Sequence, residues 1–148
     1  MKNRTEEAQI RAVLEDWIDA LRSKDAARVK SHGAADMVHY SMAPPLVADG
    51  TGLNALEKWF DTWQGPIGYE LRDLAITAGD DIAFCHGLNH MTGTQRNEKT
   101  DVWFRRTLGL RKIDGRWKIV RSHESVPFYM DGSDKAAVDL KPQDLKPQ

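Results

Sequence analysis

Cysteine occurs once in the chain, as Cys85, so no intrachain disulfide can form and a reducing compartment fits. The run around it, "IAFC", is apolar, and the expectation is a buried, inert thiol. Long hydrophobic stretches are missing: nothing approaches the ~18 apolar residues of a membrane span. The opening "MKNRTEEAQ" has no apolar core and no cleavage pattern, which argues against a signal peptide. The expected setting is therefore cytoplasmic, with no membrane partner. An excess of one charge is missing too. Lys and Arg number 21 against 22 Asp and Glu, leaving a net −1 and no global field to gather nucleic acid. Basic residues do collect between Lys99 and Arg121, but alternation along strands divides them between two faces.

What the chain does have is enough apolar content for one core, 41% of 148 residues. Ile10, Val13, Leu14, Trp17, Ile18 and Leu21 recur at helical spacing, and Asn3 with Glu6 has the form of a capping box, predicting a helix over 4–23. A short helix is expected to start after Asp25 and to stop at Gly33, a natural C-terminal cap. "DMVHYSM" alternates loosely into "APPL", whose paired prolines forbid helix. A third helix is expected over 52–63, with Leu53, Leu56, Phe60 and Trp63 on one stripe and "QGPIG" ending it. From Tyr69 onward the texture is strand-like, broken at "GDD", "QRNE" and "DG". Helices followed by a strand meander predict an α+β fold: three N-terminal helices packed into a curved antiparallel sheet. Residues 4–130 form the expected single domain. Residues 131–148 form a polar tail ending in the tandem repeat "DLKPQDLKPQ", expected to be loose.

"CHGLNHMTG", residues 85–93, holds His86 and His90 four apart and so poses the question of a metal. Gly87 and Gly93 speak against a helix. On a strand the two histidines stand about 13 Å apart, against about 6 Å on a helix, too far to share one zinc ion. No metal and no cofactor are expected. The alternation does put Ile82, Phe84, His86, Leu88, His90 and Thr92 on one face. A turn at "QRNE" sets His90 opposite Trp103, Leu88 opposite Arg105, His86 opposite Thr107 and Thr92 opposite Asp101. Too polar for a plain core and too aromatic for a plain surface, this face reads as a pocket wall. For the next hairpin a two-residue Asp114-Gly115 turn pairs Arg105 with Glu124. A bulged three-residue loop pairs it with His123 instead, and curved sheets favour the bulge.

These segments together resemble a known family. The order of elements, "APPL", "GPIGYELRDLAIT", "FCHGLNHMTGT", "DVWFRRTLGLRKIDGRWKIVRSHESVPF" and "DLKP" are similar to the SnoaL-like proteins over residues 4–142. These are ketosteroid-isomerase homologues of the nuclear-transport-factor-2-like superfamily. The resemblance implies a cone of bent sheet around three helices, with a small-molecule pocket inside. It also implies a homodimer through the outer sheet face.

The resemblance does not carry the isomerase reaction, which needs a carboxylate base, a tyrosine and a protonated aspartic acid. Trp17 stands in the tyrosine's place, Tyr40 at or beside the base, and Thr107 or Leu108 where the aspartic acid belongs. The candidate catalytic residues are instead His90, His123, Arg105 and Tyr40. His90 and His123 suit proton transfer, Arg105 an anionic oxygen, and Tyr40 a bound carbonyl. Trp17, Trp59, Trp63, His86, Leu88 and Trp103 are candidates to line a site for a small organic ligand. Each has a structural alternative: a hydrogen-bonded histidine, a paired arginine, a core tryptophan. Two functions follow: a small-molecule-binding protein, with proton-transfer or hydrolytic chemistry, or a non-catalytic dimeric association module.

Overall fold

The computed structural model describes residues 2–49 and 52–143. Helix α1 runs Lys2–Arg22, α2 Ala26–Ser31 and α3 Leu53–Asp61. The strands are β1 Gly33–Tyr40, β2 Ala48–Asp49, β3 Trp63–Ala78, β4 Ile82–Gln95, β5 Glu98–Ile113 and β6 Arg116–Ser125. They form one six-stranded sheet in the order β2-β1-β6-β5-β4-β3. The fold is α+β as expected, with one departure. β1 pairs with β6 in parallel, so the sheet is mixed rather than antiparallel throughout. Among the described residues no helix is long and apolar enough to cross a membrane.

Helix α1 buries the stripe read from its sequence, with Ile10, Leu14, Ile18 and Leu21 each at most 6% exposed. The capping box does not form there, because the helix already includes Asn3 and Glu6. Glu6 faces the sheet instead, accepting from Lys112 Nζ at 2.9 Å and Trp117 Nε1 at 2.7 Å. Those two hydrogen bonds hold its carboxyl below the usual range and tie the first helix to β5 and β6. Asp25 caps α2 by accepting from the Arg28 backbone N–H at 3.1 Å. In α3 the stripe holds for Leu56 and Phe60, both buried. The helix stops at Asp61, so Trp63 is the first residue of β3 and "QGPIG" is strand rather than terminator.

The cone's curvature comes from two bulges in β3. Gln64 pairs with Thr94 and Gly68 with Thr92, so residues 65–67 oppose Gly93 alone. Arg72 pairs with Leu88 and Ala75 with His86, so Asp73 and Leu74 oppose Gly87 alone. Each bulge bends the strand, and each lies against a glycine where a Cβ would crowd backbone. That Cβ would stand 3.0 Å from the Pro66 carbonyl oxygen at Gly93 and 3.1 Å from that of Arg72 at Gly87. The glycines of "CHGLNHMTG" are thus the points around which the sheet folds over the helices.

The polar tail is not loose throughout. Tyr129 N–H donates to the Lys135 carbonyl and Ala137 N–H to that of Pro127, and Ala137 is 2% exposed. The second "DLKPQ" copy, residues 144–148, lies outside the described residues.

Candidate functional site

The β4–β5 register matches the sequence pairing: His90 opposes Trp103, Leu88 Arg105, His86 Thr107 and Thr92 Asp101. The face is the other one. Ala83, Cys85 and Asn89 on β4, with Phe104, Arg106, Leu108 and Leu110 on β5, are all at most 6% exposed and meet the helices. The stripe read as a pocket wall looks outward, with Ile82 61% and Phe84 53% exposed. Polarity alone points to the wrong face, because a buried arginine and asparagine on the inner stripe hide its apolar character.

His86, Leu88, His90, Trp103 and Arg105 sit on the outer face, and none of them lines the large cavity. Arg105 Nε donates to Ser125 Oγ at 3.1 Å, its cross-strand partner, so neither expected pairing for Arg105 occurs. The turn is the two-residue one, but the register shifts between Gly109 and Leu110, where Val120 is the extra residue on β6. That shift turns His123 outward, opposite Thr107 and against the Tyr40 ring at 5.3 Å. Tyr40 is 42% exposed and likewise outside the cavity. Trp63 is buried core, packed edge-on to Trp59. Of the named candidates, Trp17 and Trp59 line the cavity.

His90 has a structural occupation. Its ring lies flat on Trp103 at 4.1 Å, with Nδ1 2.9 Å from Glu70 Oε1 and Nε2 2.7 Å from Asp101 Oδ1. Burial opposes its charging, but the hydrogen bonds to Asp101 and Glu70 outweigh that and raise its pKa. A group raised on folding contributes below its unfolded value, about 6.5, and stops contributing as pH climbs through the folded value. Both carboxylates are more than half exposed. His90→Gln should therefore cost only about 0.5–1 kcal/mol at pH ~6 and less at pH ~9, read from urea midpoints. An equal loss at both pH values would show that the charge is not what counts. Among the described residues no three His, Cys, Asp or Glu side chains gather in a metal-holding group.

Inside the cone is a cavity of about 720 Å³, floored by β1, β5 and β6 with Tyr69 of β3 and Met91 of β4, and bounded by α1, α2, α3 and the 41–48 segment. Its walls are mostly apolar, including Trp17, Trp59, Met37 and Phe104. One group of polar side chains is joined by hydrogen bonds. Arg106, 6% exposed, lies over the Trp17 ring at 4.1 Å, donates from Nη1 to Tyr69 Oη at 3.2 Å and from Nη2 to Ser122 Oγ at 3.3 Å. Its Nε is 4.0 Å from Glu124 Oε1. His39 Nε2 is 3.2 Å from the same oxygen. Asn89 Nδ2 donates to Tyr69 Oη at 2.7 Å.

Burial works to raise the Glu124 carboxyl, but the hydrogen bond from His39 and the Arg106 charge outweigh it and hold it below the ordinary value. Glu124 is thus the anion between a guanidinium and an imidazole. On the sequence alone Glu124 is one of two open partners for Arg105, beside the favoured His123; the bulge and the face give it to Arg106 instead. Nothing in the pattern singled out His39, Tyr69 or Asn89.

The SnoaL-like domain profile matches residues 10–129, and the chain belongs to that family. An NTF2-like protein of unknown function from Pseudomonas putida KT2440 is 30% identical, with TM-score 0.82 over 94% of this chain and 98% of that one. A protein proposed to be a calcium/calmodulin-dependent protein kinase II association domain, from Xanthomonas campestris, is 26% identical, with TM-score 0.65 over 78% and 84%. One proposed to be a ketosteroid isomerase, from Shewanella frigidimarina, is 25% identical, with TM-score 0.61 over 77% and 92%. No curated protein matches.

Proposed function

We propose that this SnoaL-like domain binds a small, largely apolar organic molecule in its cone cavity and moves a proton on it. The observation that carries this reading is the Arg106–Glu124–His39 line, three ionisable side chains meeting on the wall of a mostly apolar cavity. With Glu124 ionised, His39 Nε2 is the donor to it, which leaves Nδ1 of the neutral ring with the lone pair of a base. Arg106 supplies positive charge for an oxygen that gains electrons as the proton leaves. The carbonyl chemistry that suits this set is proton abstraction beside a C=O group: the proton passes from carbon to His39 Nδ1, the electron pair to the carbonyl oxygen, and both return.

Hydrogen exchange tests it without knowing the substrate. The α-protons of 2-tetralone in D₂O, followed by NMR, should exchange faster with the protein than in buffer. His39→Ala should return the rate to the buffer value. Exchange at the buffer rate with wild-type protein, for this and other bicyclic ketones, would sink the proposal.

A second reading has its own observation. Ile82 and Phe84 are exposed two residues apart on the outer sheet face, with Leu88 and Trp103 half-buried farther along the same face, and a relative at 26% identity is a proposed association domain. That favours a homodimer through this face. Phe84→Glu should then convert the sedimenting species to a monomer while leaving the cavity intact. An unchanged sedimentation coefficient would rule the face out.

A further inference from the structure

The cavity reading leaves open which group holds the ligand's oxygen, and the hydrogen bonds around Tyr69 bear on that. We infer that the Tyr69 hydroxyl is the donor that takes an acceptor oxygen of the bound molecule, making Tyr69 a catalytic residue of the site. The inference rests on the proposed cavity function and names the ligand class: compounds presenting a carbonyl or similar acceptor, not a donor.

A phenol oxygen has one O–H to give and two lone pairs to offer. Both lone pairs are taken. Asn89 Nδ2 donates to Tyr69 Oη at 2.7 Å and Arg106 Nη1 at 3.2 Å. Neither nitrogen can accept, so the O–H proton needs an acceptor elsewhere. Among the described residues none takes it, and Tyr69 lines the large cavity. Two N–H donors on an oxygen, one of them cationic, draw density from it and strengthen its O–H as a donor. Burial pushes the Tyr69 pKa up to about 12 despite the Arg106 charge, so the proton stays in place at neutral pH.

The ring is fixed to match. Tyr69 is 5% exposed, edge-on to Trp17 at 5.4 Å and to Phe104 at 6.2 Å. Its own carbonyl accepts from Arg22 Nε at 2.8 Å and from Arg22 Nη2, so α1 pins β3 at this residue. Asn89, 0% exposed, acts through Tyr69 and is a positioning residue.

The test compares two probes of one shape, 2-acetylnaphthalene and 2-ethylnaphthalene, on wild type, Tyr69→Phe and Asn89→Leu. Wild type should bind both and shift the ketone's C=O infrared stretch to lower frequency than in an apolar solvent. Tyr69→Phe should bind 2-ethylnaphthalene as well as wild type does. It should lose about tenfold in affinity for the ketone, the size of one lost hydrogen bond, and return the stretch toward its apolar value. Asn89→Leu should reduce the shift in part, and it keeps the inference testable if the phenylalanine variant fails to fold. The same C=O stretch in bound wild type and bound Tyr69→Phe would overturn the role of Tyr69 and spare the cavity reading. If neither probe binds wild type, the cavity reading fails and this inference with it.

Discussion

Arg106→Met is expected to destabilise the fold by about 3–5 kcal/mol at neutral pH, the range for breaking a buried charge pair by removing one partner. Methionine can fill much of the space over Trp17, so lost packing is the smaller part. The larger part is what the guanidinium leaves behind. Tyr69 and Ser122 lose a donor, and the Glu124 carboxylate, 15% exposed, keeps only His39.

The pH dependence separates these contributions. In the wild type Glu124 has a folded pKa below its unfolded value, so its contribution is present above about pH 4.3 and fades as pH falls through the folded value. Without Arg106 the burial of the carboxyl dominates and its folded pKa rises. The variant's deficit should then grow from acid to neutral pH, and Arg106→Met/Glu124→Gln should recover much of it. Urea midpoints between about pH 4 and pH 8 measure this directly. A deficit that is flat across that range would mean that Glu124 and Arg106 do not depend on each other.

Much of the fold was legible because its signals are local. The α1 stripe, the start of α2 after Asp25, the turn at "QRNE" and the β4–β5 pairing all follow from periodicity or turn chemistry within a short window. The Asp114-Gly115 break is as local, but the favoured bulged loop gives way to a two-residue turn, and the α2 cap is His32 rather than Gly33. The site was not legible, for two reasons of geometry. Alternation divides a strand into two faces without saying which is inside. Arg105 and Arg106 are neighbours of like chemistry, yet the first is exposed and the second 6% exposed. What decides is the apolar weight of the whole stripe, Ala83 and Cys85 with Phe104, Leu108 and Leu110, against Ile82 and Phe84 on the other. The second reason is the extra residue at Val120. A one-residue slip reverses every side chain beyond it, sending His123 out and Glu124 in. A bulge inside a strand leaves no turn residue to announce it. The same holds for His39 and Tyr40, where the parallel pairing with β6 puts Tyr40 opposite His123, on the outer side.

Gly93→Val should cost about 3 kcal/mol or more, from two additive sources. Gly93 has φ +139, a conformation that costs a residue with a Cβ about 1–2 kcal/mol. The Cβ would also stand 3.0 Å from the Pro66 carbonyl oxygen and 3.1 Å from Trp63 Cζ3. Backbone and a buried indole cannot both give way, and forced overpacking adds about 1–3 kcal/mol. Gly115→Ala is the control, since Gly115 has φ +77 in the β5–β6 turn and nothing within 4 Å of its would-be Cβ. It should cost only the conformational part, about 1 kcal/mol. Gly93→Ala should fall between the two. The consequence also reaches the cavity, because the bulge against Gly93 lies immediately before Gly68 and Tyr69 on β3. Any folded Gly93 variant should displace Tyr69 and weaken 2-acetylnaphthalene binding, whereas Gly115→Ala should leave it unchanged. Equal losses of stability at the two glycines would mean that only the dihedral matters, and that the close approach of β3 to β4 does not set the bend.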